Sequence, residues 1–126
     1  MSGTLVEAIK WWSVEQSDKL AIVTIDDSVT YGALDAWSNA VAAWLLEHDV
    51  IAGDRVCIFS ANSLEWCVLA QGIMRVGGIV VPINPRFTVS EAEYFINRVS
   101  PKLVFFDGQR EEKAQAVQNR LDGISI

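Results

Sequence analysis

Few side chains in this sequence are of types that do chemistry, and one short stretch arranges them as a site could. Residues 82–87 read Pro-Ile-Asn-Pro-Arg-Phe, so that Arg86 follows Asn84 and Pro85 in a loop that also begins with proline. A guanidinium is a planar fork suited to a phosphate or a carboxylate. Two prolines narrow the paths open to the loop that carries it. The plainer reading is that Arg86 pairs with an acidic neighbour such as Glu91, or caps a nearby helix.

The other reactive types are placed less suggestively. His48 is the only histidine and falls at the end of a helical pattern, where a cation suits the helix dipole. No second histidine or carboxylate cluster lies near it in sequence, so no metal site is expected. Cys57 and Cys67 fall in apolar runs, where a free cysteine acts as a small hydrophobe. Ser60 and Ser63 have no histidine nearby, which leaves no Ser-His-acid arrangement to propose. Asp26-Asp27 and Glu111-Glu112 sit in turn or surface positions. Neither a G-x-x-x-x-G-K-[ST] loop nor a G-x-G-x-x-G turn is present, and Gly77-Gly78 reads as a structural turn. The residues alone show no catalytic constellation.

The elements that must position Arg86 lie between Asp54 and Arg86. Val56 to Phe59 form a continuous apolar run, the pattern of a strand buried on both faces. Asn62 to Glu65 has the spacing of a capping box. The helix that follows carries Trp66, Cys67, Val68, Leu69, Ala70, Ile73 and Met74 and is expected to be largely buried. Gly77 and Gly78 end it, and Ile79 to Val81 run as a strand into Pro82. This is a βαβ unit with an expected right-handed crossover. In open α/β sheets ligands gather beyond the carboxyl ends of the strands, where residues 82–87 fall.

Around this unit the chain alternates in the same way. A first helix is predicted over Leu5 to Val14. Ala21 to Ile25 and Val29 to Tyr31 form a small hairpin across Asp26-Asp27-Ser28. Thr30 caps a helix reaching His48, with Leu34, Trp37, Ser38, Val41 and Leu45 on one stripe. Thr88 to Glu91 offers a second capping box for a helix ending near Val99, before Ser100-Pro101. Leu103 to Phe106 form another buried-type strand. Gln109 to Leu121 is predicted as a surface helix with Ala114, Val117 and Leu121 on its thin apolar edge, and Arg110 to Lys113 as a solvated face. Residues 122–126 are apolar enough to begin a further strand. Such alternation implies an α/β fold with an open, mostly parallel sheet flanked by helices.

At 126 residues the chain has the size of one domain, and a hydrophobic content of 51% fits a folded one. A net charge of −6, with no run of Lys or Arg, argues against a nucleic-acid partner. No stretch is long and apolar enough to span a membrane, and the N-terminus has no secretory pattern. Two cysteines without such a signal point to a reducing compartment, the cytoplasm.

Three stretches carry a resemblance. AIVTIDDSVTYGALDAWSNAVAAWL, then VIAGDRVCIFSANSLEWCVLAQGIMRVGGIVVPINPRFTVSEAEYFI, then SPKLVFF resemble, in order and spacing, the opening part of the adenylate-forming, AMP-binding ligases. The asparagine of VPINPR is similar to the acyl-CoA synthetase branch, where peptide-synthetase modules tend to carry aspartate. The resemblance implies a two-step chemistry for the parent family. A carboxylate, such as a fatty acid, attacks ATP with magnesium to give an acyl-adenylate, and coenzyme A then displaces AMP to give a thioester. It also implies that residues 1–126 are a partial N-terminal α/β subdomain, ending before the family's phosphate loop and C-terminal lid. ATP, Mg2+ and CoA are thus implied for the longer parent, no cofactor is expected in this stretch, and the stretch is expected to be inactive alone. Arg86 falls where some CoA ligases of the family contact a phosphate of the CoA nucleotide. From another class, the alternative is a free-standing α/β module that became a binding or protein-interaction domain. Incomplete burial is expected to leave apolar surface and a tendency to self-associate.

Overall fold

The elements alternate as the sequence patterns require: α1 (Leu5–Glu15), β1 (Leu20–Val23), β2 (Ser28–Thr30), α2 (Tyr31–Glu47), β3 (Arg55–Phe59), α3 (Leu64–Arg75), β4 (Ile79–Ile83), α4 (Val89–Val99), β5 (Leu103–Phe106), a 3-10 turn (Gly108–Arg110) and α5 (Glu111–Arg120). The structure, a computed structural model, describes residues 3–121, so the strand expected over 122–126 lies outside the described residues. The contacts group the chain into two compact units. One comprises Met1–Asp49 and Asn62–Val76, the other Val50–Ala61 and Gly77–Ile126.

The first unit holds the antiparallel β1–β2 hairpin and helices α1, α2 and α3. Val29, Leu34, Leu64 and Val68 form its core, with Ile9, Ala21, Ile22 and Val41 against it. Thr30 caps α2 as expected, its hydroxyl accepting from Ala33 N at 3.2 Å. The expected stripe on α2 is only partly buried: Leu34, Ser38 and Leu45 are, while Trp37 is exposed. For α3 the cap is Ser63 rather than Asn62, its Oγ accepting from Trp66 N at 3.1 Å. Gly72 lets α3 approach α2, because a Cβ there would lie 2.8 Å from Val41 Cβ. Arg75, whose side chain is 3% exposed, ties the same helices by an ion pair to Asp35 at 2.7 Å and a bond to Asn39 at 2.7 Å.

The second unit is a three-stranded parallel sheet in the order β4-β3-β5, with α4 and α5. Side chains alternate across a strand. Cys57 and Phe59 accordingly join Ile83, Val104, Ala92, Ile96 and Val117 in one core, while Val56 and Ile58, on the opposite face of β3, are also buried. Pro82 falls within β4, an edge strand of this sheet, where a missing N–H is tolerated. Thr88 and Glu91 form the expected reciprocal capping box on α4. Gly77, at φ +78°, takes the positive φ that ends the helix before it.

Candidate functional site at the carboxyl ends of the parallel strands

The three parallel strands finish level. Phe59 is in register with Ile83 on one side and with Phe106 on the other, so Ser60, Asn84 and Asp107 leave the sheet at the same edge. Sequence reasoning located one of these exits, the loop after β4 that carries Arg86, and assigned no role to the other two.

Asn84 builds the loop. Its Oδ1 accepts from Arg86 N at 2.9 Å and its carbonyl accepts from Phe87 N at 3.1 Å, closing a tight turn over residues 84–87. Asparagine is favoured there because its side chain reaches the backbone two residues on, and proline in the next position presets φ. Phe87 turns inward to meet Phe95 edge-on at 6.0 Å, and with Ser90, Glu91 and Tyr94 these rings line an open cleft of about 440 Å³.

Arg86 is exposed, and its side chain has no hydrogen-bond or ion-pair partner among the described residues. The pairing with Glu91 does not form, because that carboxylate instead accepts from Thr88 N at 3.2 Å in the capping box. The guanidinium therefore remains free at the edge of the sheet.

Beside it lies a polar network that the sequence reading missed. Asp107 Oδ2 accepts from Ala61 N at 2.9 Å, Ser60 Oγ at 3.2 Å and Arg110 Nη1 at 2.8 Å. Its Oδ1 accepts from Arg110 N at 3.2 Å and Nη1 at 3.0 Å. Partial burial alone raises the Asp107 pKa, but the bonds from Ala61 N and Arg110, with the Arg110 charge and Ser60, outweigh it and hold the carboxyl below its ordinary value. Arg110, whose side chain is 14% exposed, reaches on with Nε to the Pro85 carbonyl at 3.1 Å. Lys113 donates to the Phe87 carbonyl at 2.9 Å. The expectation of a solvated face over Arg110 to Lys113 thus holds for Glu111 and Glu112, which are exposed, and fails for the two cations. The available signal was the Asp107–Arg110 spacing of three, which puts opposite charges on one side of a helical turn.

The remaining reactive side chains are placed structurally. His48 Nδ1 lies 2.8 Å from the Trp44 carbonyl, which can only accept, so this nitrogen carries the proton; the ring stacks on Trp44 at 3.6 Å. Cys57 is buried, and desolvation pushes its thiol pKa up to about 12; the same cause raises that of Cys67. Among the described residues no three His, Cys, Asp or Glu side chains are grouped to hold a metal ion, and no helix is long and apolar enough to cross a membrane.

The fold agrees with comparison to known proteins. The chain belongs to the AMP-binding enzyme family, which it matches over residues 9–125. It is 35% identical over 95 residues to a long-chain-fatty-acid–CoA ligase of Salmonella typhimurium, covering 75% of this chain and 17% of that one. To the long-chain-fatty-acid–CoA ligase FadD13 of Mycobacterium tuberculosis it is 29% identical over 97 residues, covering 77% of this chain and 19% of that one. The crystal structure of the N-terminal domain of FACL13 from M. tuberculosis shares the fold at a TM-score of 0.90 and 23% identity, covering 99% of this chain and 34% of the other. The chain therefore spans 19% or less of the length of these two curated relatives.

Proposed function

We propose that these residues form the opening α/β portion of an ATP-dependent acyl-CoA synthetase and that Arg86 contacts a phosphate of the CoA nucleotide. The observation that carries the reading is the free guanidinium of Arg86 on a turn built by Asn84, at the carboxyl edge of a parallel sheet. Family membership supports it, as do relatives that are long-chain-fatty-acid–CoA ligases.

The whole enzyme joins a fatty carboxylate to ATP, releases pyrophosphate, and passes the acyl group from its adenylate to the CoA thiol. The part assigned to this chain is binding rather than bond making. An exposed guanidinium attracts a nucleotide phosphate and forms charge-assisted hydrogen bonds with it, and a turn of low freedom keeps the ordering cost small. No step through magnesium is assigned to these residues, which offer no grouped ligand set among those described. Two free cysteines, Cys57 and Cys67, fit a reducing compartment such as the cytoplasm.

Two experiments test the reading. Titration of the chain with CoA is expected to show binding that Arg86→Ala weakens about tenfold or more, the scale of a charged hydrogen bond. Absence of binding, or indifference to the substitution, overturns the assignment of Arg86. Incubation with ATP, magnesium and a series of fatty acids is expected to release no pyrophosphate, and clear turnover would show that the chain carries more of the chemistry than binding.

A further inference from the structure

We propose that Arg110 and Lys113 are positioning residues that hold the two carbonyls flanking Arg86 and so present its guanidinium outward. The proposal rests on the reading of Arg86 as an anion contact, and part of its test is independent of that reading.

Three cations meet at this loop and are used differently. Arg110 Nε donates to the carbonyl of residue 85 at 3.1 Å, and Lys113 Nζ donates to the carbonyl of residue 87 at 2.9 Å. Arg86, between them, spends only its backbone N–H on the protein, toward Asn84 Oδ1 at 2.9 Å. The Pro85–Arg86 peptide plane is fixed by Arg110 at its carbonyl and by Asn84 Oδ1 at its N–H. The Arg86–Phe87 plane is fixed by the Phe87 N–H on the Asn84 carbonyl, and Lys113 fixes the next plane, Phe87–Thr88. The turn therefore cannot swing, and the direction of the Arg86 Cα–Cβ bond is held. Arg110 can act as a fixed post because its Nη1 is held by both oxygens of Asp107, at 3.0 and 2.8 Å, and Asp107 is anchored to Ala61 N at the end of β3. Lys113 projects from α5, whose Ala114 and Val117 are buried. Rigid elements on either side thus brace a turn whose own residues 84 and 86 are exposed. Both cations also add positive potential beside an anion contact.

The experiment compares the chain with Lys113→Met, Lys113→Arg, Arg110→Met and, as a control for loss of one charge, Lys102→Met. Amide hydrogen exchange at Arg86 and Phe87 is read alongside CoA affinity and urea stability. Lys113→Met and Arg110→Met are expected to speed exchange of the Arg86 amide about tenfold or more. They are expected to weaken CoA binding several-fold with Arg86 intact. Lys113→Arg, which can still donate to the Phe87 carbonyl, is expected to restore both, and Lys102→Met to leave exchange unchanged. If the unsubstituted chain binds no CoA, the reading of Arg86 fails, and exchange alone decides the bracing. Unchanged exchange in both methionine variants overturns the proposal whatever happens to CoA. Failure of Lys113→Arg to rescue, or an equal loss of protection in Lys102→Met, overturns it too. Lys113→Met keeps the test sound should Arg110→Met fold poorly.

Discussion

Removing the Asp107 carboxylate tests the network beneath the site. In Asp107→Ala five donor contacts vanish at once: Ala61 N, Ser60 Oγ, Arg110 N and both bonds from Arg110 Nη1. Ser60 retains the Ala61 carbonyl at 2.8 Å, so its hydroxyl is not orphaned. The loss falls on the Ala61 N–H and on the guanidinium, whose side chain is 14% exposed against 29% for Asp107. An orphaned, part-buried donor costs about 1–3 kcal/mol. The ion pair, open to solvent on the aspartate side, adds about 1 kcal/mol or less. Together these give about 1–4 kcal/mol, a large share of the 5–15 kcal/mol typical of a domain. Asp107→Asn keeps the shape and one acceptor, and is expected to cost about 1–2 kcal/mol.

The sign of the pH dependence separates charge from packing. The folded-state pKa of Asp107 is lowered from 3.8, so its contribution is complete above the ordinary carboxylate value and disappears as pH falls through the lowered one. Urea unfolding of the chain and of Asp107→Asn, followed from about pH 7 down to about pH 3, gives the difference directly, because the other carboxylates cancel. The stability gap is expected to stay constant near neutrality and to narrow in acid. A gap that persists unchanged in acid, or an Asp107→Ala variant within about 0.5 kcal/mol of the parent at neutral pH, refutes the reasoning.

Three further outcomes are expected. Gly72→Ala gains about 1 kcal/mol of helix propensity but drives its methyl into Val41, whose Cβ lies 2.8 Å away, so overpacking of about 1–3 kcal/mol decides the sign. Urea melts are expected to show net destabilisation that Val41→Ala, which removes the Cγ1 contact but keeps Cβ, relieves in part. Thiol titration with an aromatic disulfide is expected to reach half-buried Cys67 before Cys57, whose pKa of about 12 and full burial keep it silent until unfolding. Val14, Trp37 and Leu46 are exposed on α1 and α2. Sedimentation velocity is expected to show concentration-dependent association that Val14→Glu with Trp37→Gln reduces, and a strictly monomeric parent would remove that expectation.

Local signals were legible in the sequence where the stabilising partner lies within a few residues. Thr88 and Glu91 announce their capping box because both halves sit in one turn, and the apolar run of β3 announces its burial, whereas in β5, at the edge of the sheet, only Val104 is buried and Phe106 is exposed. The cap of α3 was placed one residue early, since Asn62 and Ser63 are both good caps and only the backbone path decides which oxygen meets Trp66 N. Long-range pairs left no trace: Arg75 meets Asp35 40 residues away, and Asp107 meets Ser60 47 residues away. The division into two units was equally hidden, because α3 follows β3 in sequence while belonging to the other unit.

That asymmetry follows from the sheet itself. Parallel strands cannot be joined by tight turns, so residues at their carboxyl ends meet only after a crossover has been completed. A side chain read for its own chemistry, like Arg86, can be picked out from its type and its proline-flanked loop. The groups that brace it cannot, since Asp107, Arg110 and Lys113 acquire their partners from β3 and the β4 exit only once the sheet has formed. Their charges read as solvated in a linear scan, whereas in the fold two of the cations are spent on backbone carbonyls and the third is left free. A cation whose neighbours are already committed to holding its backbone keeps its full charge available for an anion.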